Sequence, residues 1–349
     1  MKLTHGGDWM GYRETYGRDS LDFSANVSPL GLPDGIKAAV IESLSTADRY
    51  PDPLCRELTE KIASVRGLES DMILCACGAA DIIFRLALAL KPRRALITAP
   101  TFAEYRAALD TVGCVTEEYL LKEEKDFDIG ADFIAHITDD TDIVFLCQPN
   151  NPTGRITERA FLCKILQRCE LCGAVLAVDE CFLDFMEEEE KLSMKSELYR
   201  YKNLVILKAF TKLYAMAGLR LGWCECGDTE LVNIMRTCAQ PWAVSAPAQA
   251  AGLAALSESV YAQTVRELIG QERPRVKQAL EELGLRVIDG SVNYLLFCSD
   301  EGLGQRLAGR GIVVRSCGNY TGLDSTWYRT AIRTHEENSV LIETLREVL

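Results

Sequence analysis

Four short apolar runs, Ala95–Ala99, Ile143–Cys147, Val175–Val178 and Leu204–Leu207, are spaced through the middle of the chain, with a helical pattern over Phe161–Leu171 between two of them. Runs this short, without polar alternation, read as strands covered on both faces, and strands joined through helices pair in parallel. The pattern predicts an α/β fold in which a mostly parallel sheet lies between helices. At 349 residues the chain is longer than one core usually accommodates, so a large domain with a smaller one beside it is expected. From about Ala248 a long helical stretch runs through Glu282, and Tyr294–Cys298, Ile312–Arg315 and Trp327–Ile332 read as strands separated by helix, which predicts a smaller α+β domain. Residues 1–30, rich in Gly, Asp and Ser, read as an irregular arm, and Glu187–Glu190 as a solvated loop or helix end.

The net charge of −13 argues against a nucleic-acid partner, which requires a basic face. No apolar run approaches the ~18 residues of a membrane span. The start, Met1 to Gly7, lacks the apolar core of a signal peptide, so the cytoplasm is expected, with the 14 cysteines as reduced thiols. Cys169 and Cys172 form a CxxC inside a helical pattern without a matching second pair, and only His5, His136 and His335 are present, so no metal site is expected. In an acidic protein an anionic ligand must be held by local donors, which gives individual arginines weight.

Lys212 follows the strand Leu204–Leu207 closely enough to stand at its carboxyl end, where open α/β sheets bind ligands. Desolvation there lowers a lysine's pKa and frees its amine for a carbonyl. Taken alone, a lysine after a strand is usually just solvated. Asp179 ends another strand, where a carboxylate can keep a pyridinium nitrogen protonated, although it can equally be a cap or loop acid. Asn151, in Gln148-Pro149-Asn150-Asn151-Pro152-Thr153-Gly154, can donate to a phenolate oxygen, or simply belong to a turn. Gly78-Ala79-Ala80 opens an apolar helix whose small first residues leave N–H groups open to a phosphate. Phe102 can stack on a ring or merely pack, and Arg220 can neutralise the same phosphate.

In this order, Gly78-Ala79-Ala80, Phe102, Asn151, Asp179, Lys212 and Arg220 resemble the class I/II aminotransferases of pyridoxal 5′-phosphate (PLP) fold type I. The resemblance spans nearly the whole chain. It is most specific in Pro149-Asn150-Asn151-Pro152-Thr153-Gly154 and in Thr211-Lys212 followed by Gly218-Leu219-Arg220-Leu221-Gly222. It implies PLP as cofactor, Lys212 as its Schiff-base lysine and proton carrier, Asp179 on the ring nitrogen, Asn151 on O3′ and Phe102 on the ring face. Ala79, Ala80, Thr211 and Arg220 would hold the phosphate. Tyr50, in Arg49-Tyr50-Pro51-Asp52-Pro53, resembles the tyrosine that reaches the partner subunit's cofactor, which implies a homodimer. Arg329 lies where the family keeps its substrate-carboxylate arginine. Two positions depart from the pattern: Phe182 replaces a frequent tyrosine, and Ala209 a frequent Ser or Thr.

Within that family, four segments are similar to the L-threonine O-3-phosphate decarboxylases: His5-Gly6-Gly7, residues 21–31, residues 179–185 and residues 311–323. The resemblance implies a phosphorylated amino-acid substrate contacted by His5, Gly6, Asn26, Asn151, Arg315 and Arg329, and a product, (R)-1-amino-2-propanol phosphate, that enters cobalamin synthesis. Arg333 is left as a third contact or an exposed arginine. An arm over 1–30, a PLP-binding domain over 31–245 and a small domain over 246–349 are implied. Transamination, of histidinol phosphate or another amino acid with 2-oxoglutarate, is the alternative, because the same residues serve both reactions. A non-catalytic regulatory PLP domain is disfavoured by the intact Lys212, Asp179 and Asn151.

Overall fold

The computed structural model describes residues 5–349. Its strands are β1 (Leu21–Asp22), β2 (Ile73–Ala76), β3 (Arg94–Ala99), β4 (Val115–Leu120), β5 (Ile143–Cys147), β6 (Val175–Asp179), β7 (Leu204–Ala209) and β8 (Gly222–Cys226). They continue with β9 (Arg286–Ile288), β10 (Tyr294–Cys298), β11 (Ile312–Val313), β12 (Arg315–Ser316) and β13 (Trp327–Ala331). The helices in the first half are α1 (Trp9–Tyr16), α2 (Asp34–Ser43), α3 (Arg56–Arg66), α4 (Ala79–Leu90), α5 (Glu104–Thr111) and α6 (Arg159–Cys172). Those in the second are α7 (Glu189–Leu192), α8 (Thr229–Thr237), α9 (Ala246–Ala255), α10 (Ser259–Glu282), α11 (Leu303–Gly309) and α12 (His335–Val348). Among the described residues no helix is long and apolar enough to cross a membrane.

The α/β expectation holds: a seven-stranded sheet runs in the order β2-β8-β7-β6-β5-β3-β4, and only β8 opposes the others. Side chains alternate between its two faces, as a pleated strand requires. Val144, Leu146, Leu176, Val178, Leu204 and Ile206 enter one core, while Ile143, Phe145, Ala177, Val205 and Leu207 enter the other. Each such burial of a Val, Leu, Ile or Phe side chain stabilises the fold by about 1.5–3 kcal/mol. Three strands beyond the four expected complete the sheet. β4 is an edge strand whose Glu117 and Glu118 mask its strand character. β8 hides behind Glu225, a fully buried carboxylate that accepts from Arg66 Nε at 2.7 Å and Trp223 Nε1 at 3.1 Å.

The C-terminal region forms a second core under a four-stranded antiparallel sheet, β12-β13-β10-β9. The expected long helix is two, α9 and α10, separated by a turn at residues 256–258, and α9 packs into a core of the large sheet. The expected strand over Ile312–Arg315 is also divided. β11 pairs in parallel with β1 of the arm, and β12 pairs with β13, so one kinked segment joins the arm to the small sheet. The arm itself carries α1 and β1 and is less irregular than its composition suggests.

The acidic run Glu187–Glu190 is not simply solvated. Glu189 opens α7 and accepts from Arg66 Nη1 and Lys208 Nζ, each at 2.8 Å. Lys208, buried on β7, also bonds Asp184. Burying that ammonium costs several kcal/mol unless it is paired, so the fold recruits both carboxylates.

Candidate active site

The parallel strands β3, β5, β6 and β7 end on one side, and their following segments converge there. A cavity of about 570 Å³ opens at that edge. It brings together Ala80, Phe102, Asn151, Thr211, Lys212 and Arg220 from around the large sheet, with His5, Gly6 and Asn26 from the arm and Arg315 and Arg329 from the small sheet. Residues up to 324 positions apart in sequence, His5 and Arg329, thus share one wall.

Three of the residues expected to contact the cofactor do not line it. Asp179 is buried at the end of β6, where Tyr105 Oη donates to its Oδ2 at 2.7 Å and the Cys181 N–H to its Oδ1 at 3.0 Å. Ala79 is the first residue of α4, beside Ala80. Tyr50 is 78% exposed and stacks on Trp242, with centroids 4.3 Å apart.

Lys212 is half-buried at the cavity wall, with its Nζ 5.2 Å from the Phe182 ring. Burial, aided by the Arg329 and Arg220 guanidiniums and opposed by Cys181 and Asp179, pulls the amine down to about 8. The Lys212 carbonyl accepts from the Ser28 N–H at 2.8 Å, which ties the arm to the lysine's own loop.

Asn151 faces two ways. Its Oδ1 accepts from Arg329 Nη1 at 2.5 Å, and because a guanidinium only donates, this bond fixes the amide and leaves Nδ2 as its remaining donor. Arg329 Nη2 also donates to the Ser24 carbonyl at 2.8 Å. Asn150 knots the neighbouring loops: it accepts from Thr101 Oγ1 and donates to the Pro100 carbonyl, both at 3.0 Å, while Tyr294 Oη donates to its carbonyl at 2.9 Å.

Arg315 and Arg329 are directly opposed in the β12–β13 register. Arg315 Nη2 donates to Asn319 Oδ1 at 2.7 Å, and its guanidinium lies over Tyr320, 5.6 Å from the ring centroid. Asn26 is 3% exposed, and among the described residues neither polar atom of its side chain has a hydrogen-bond partner. Arg333 is neither a cavity residue nor an exposed one: it donates to the Asp22 carbonyl at 3.1 Å and to Glu337 at 2.7 Å, bracing the arm from below.

Sequence reasoning missed Tyr105, Glu104 and Asp22. Tyr105 was detectable as the residue one helical turn beyond Phe102. The roles of Glu104 and Asp22 depend on contacts across the fold.

The profile of the aminotransferase class I and II family matches residues 18–345. The chain belongs to that family. It is 40% identical over 333 residues to a threonine-phosphate decarboxylase of Salmonella typhimurium, covering 94% of this chain and 91% of that protein. It is 30% identical over 359 residues to an adenosylcobalamin biosynthesis bifunctional protein of Leptospira interrogans, covering 99% of this chain and 41% of that one. Among solved structures, the histidinol-phosphate aminotransferase of Clostridium acetobutylicum superposes with a TM-score of 0.88 at 29% identity, over 94% of this chain and 98% of that one.

PLP is the cofactor of this family, and the residues present fit it. A Cβ added to Gly78 would lie 2.7 Å from Arg220 Nη2, so the guanidinium rests against a glycine at the N-terminus of α4. Ala80 and Thr211 line the same cavity, and a helix N-terminus with a guanidinium is an arrangement that can hold a phosphate. Phe102, Asn151 and Lys212 line the same cavity, and the Asp179 carboxylate is buried at the end of β6.

Proposed function

We propose that this chain decarboxylates L-threonine O-3-phosphate, releasing CO₂ and leaving (R)-1-amino-2-propanol phosphate for cobalamin synthesis. The observation that carries this reading is the opposed pair Arg315 and Arg329. Like charges directly across two strands repel, and the cost is offset when anionic groups lie between or beside them. A substrate with both a carboxylate and a phosphate supplies two such groups. The similarity to a threonine-phosphate decarboxylase supports the choice of substrate, and that to an adenosylcobalamin biosynthesis protein supports the pathway.

Bound PLP supplies an electron-poor ring that draws electrons from whichever bond of the substrate's Cα stands perpendicular to it. Ala79, Ala80, Thr211 and Arg220 would anchor the cofactor's phosphate, Asn151 Nδ2 its O3′, and Phe102 its face. Asp179, steadied by Tyr105, would keep a proton on the ring nitrogen. Arg329 holds the substrate carboxylate, while Arg315, His5, Gly6 and Asn26 hold its phosphate. After CO₂ leaves, Lys212 Nζ delivers a proton to Cα, and Phe182 keeps that side of the amine apolar.

Tyr50, exposed on its own subunit, reaches the cofactor of the other subunit in a homodimer, and the enzyme works in the cytoplasm. The labour is divided among the arm over 1–30, a cofactor-holding unit over 31–245 and a smaller unit over 246–349. The test is incubation of the purified holoenzyme with L-threonine O-3-phosphate in the absence of any keto acid. CO₂ and the amino-alcohol phosphate are expected. Turnover of histidinol phosphate with 2-oxoglutarate, without CO₂, would assign the second reading, which the likeness to the Clostridium structure favours.

A further inference from the structure

His5 belongs to the arm, and residues near a chain terminus are frayed unless tied down. Here contacts to Ser24, Glu104 and Phe102 hold it. A Cβ at Gly6 would fall 2.3 Å from the Ser24 carbonyl oxygen, so the arm can approach Ser24 only with glycine there. The Gly7 N–H donates to Ser24 Oγ at 2.8 Å. The ring itself is held by Glu104, whose Oε1 lies 2.6 Å from His5 Nε2, and rests 5.7 Å from the Phe102 ring.

We propose that Glu104 is a positioning residue for substrate recognition: it seats the His5 ring at the cavity wall so that Nδ1 is the atom left for the substrate's phosphate. This rests on the reading of the substrate as a phosphate ester. Glu104 is the first residue of α5, where an anion is favoured by the helix's exposed N–H groups. A carboxylate only accepts, so the shared hydrogen sits on Nε2; Nδ1 donates to a phosphate oxygen when it too carries a hydrogen, in the imidazolium form that a neighbouring carboxylate and a bound phosphate both favour.

The charges lining the cavity support this role. Lys212, Arg220, Arg315 and Arg329 suit an anionic substrate, whereas Glu104 and Asp22 oppose it. Each acid is engaged in holding the arm. Asp22 Oδ1 accepts from the Ser24 N–H at 2.7 Å and from its hydroxyl at 2.6 Å, and Glu104 binds His5. Ser24 in turn receives Arg329 on its carbonyl, so the histidine's seat and the arginine's share one residue.

The test is a double-mutant cycle of His5→Ala and Glu104→Ala, with Glu104→Gln as the conservative variant whose amide oxygen can still accept. Each alanine variant is expected to raise KM for L-threonine O-3-phosphate about 10-fold, with kcat falling far less. The double variant should be no worse than His5→Ala alone, and Glu104→Gln should recover most of the loss. Calorimetric binding of phosphoethanolamine, a phosphate ester without a carboxylate, should follow the same pattern. An unchanged KM in Glu104→Ala, or losses that add in full, would overturn the proposal. If the wild type releases no CO₂, the decarboxylase reading fails by itself, and phosphoethanolamine binding still decides the role of Glu104.

Discussion

Asp179, Asn151 and Lys212 stand at or just after the ends of β6, β5 and β7, neighbouring strands of one buried sheet, whereas His5, Asn26 and Arg315 belong to an arm and a kinked strand joined by a two-residue ladder. The floor of the cavity takes its geometry from strand register and a packed core on both faces. Its roof takes shape from a few hydrogen bonds to Ser24, Asp22 and Glu104. A rigid floor suits chemistry that tolerates little displacement, and a lightly tethered roof suits a ligand that must enter and leave. Arg329 belongs to both, with one nitrogen on Asn151 and the other on Ser24.

The largest effect should come from the floor. Lys212→Ala should lower kcat for CO₂ release by about 10²–10⁴-fold or more, with calorimetric phosphoethanolamine binding changed far less. A parallel loss of binding would break the separation between the two regions. At the joint, Arg329→Leu should cost about 10²-fold in kcat/KM, shared between both parameters, because it frees the Asn151 amide as well as a substrate anion. Arg315→Leu, in the roof, should raise KM about 10-fold and spare kcat.

In the cofactor-free protein the Lys212 proton leaves near pH 8, below the ordinary lysine value of 10.5, because burial disfavours the charged form. Capture of PLP, trapped by borohydride, should therefore rise with pH through a midpoint near 8. A midpoint near 10.5 would contradict a desolvated floor. The smallest effect is expected of Phe182→Tyr, which adds a hydroxyl beside Asn151's task and should change kcat by less than about threefold while shifting the visible band.

The floor was legible because each of its parts sits in a local string: a lysine after an apolar run, an aspartate ending one, an asparagine in a Pro-Asn-Asn-Pro turn. The roof was legible only by likeness to a family. That Arg315 faces Arg329 depends on the kink at Val314, where one strand changes partners from the arm to β13, and local periodicity carries no record of partner choice. Long-range charge pairing concealed other features in the same way. Glu225 made β8 look unlike a buried strand, and Glu189 looked solvated until Arg66 and Lys208 were brought against it.

The most direct measurement is turnover of L-threonine O-3-phosphate in D₂O without a keto acid, followed by mass spectrometry of the product. One carbon-bound deuterium in 1-amino-2-propanol phosphate, with one CO₂ released per turnover, is the predicted result, because a solvent-exchanged proton from Lys212 replaces the carboxylate. Absence of CO₂ and of the deuterated amino-alcohol phosphate, with the substrate recovered with its carboxylate intact, would contradict it.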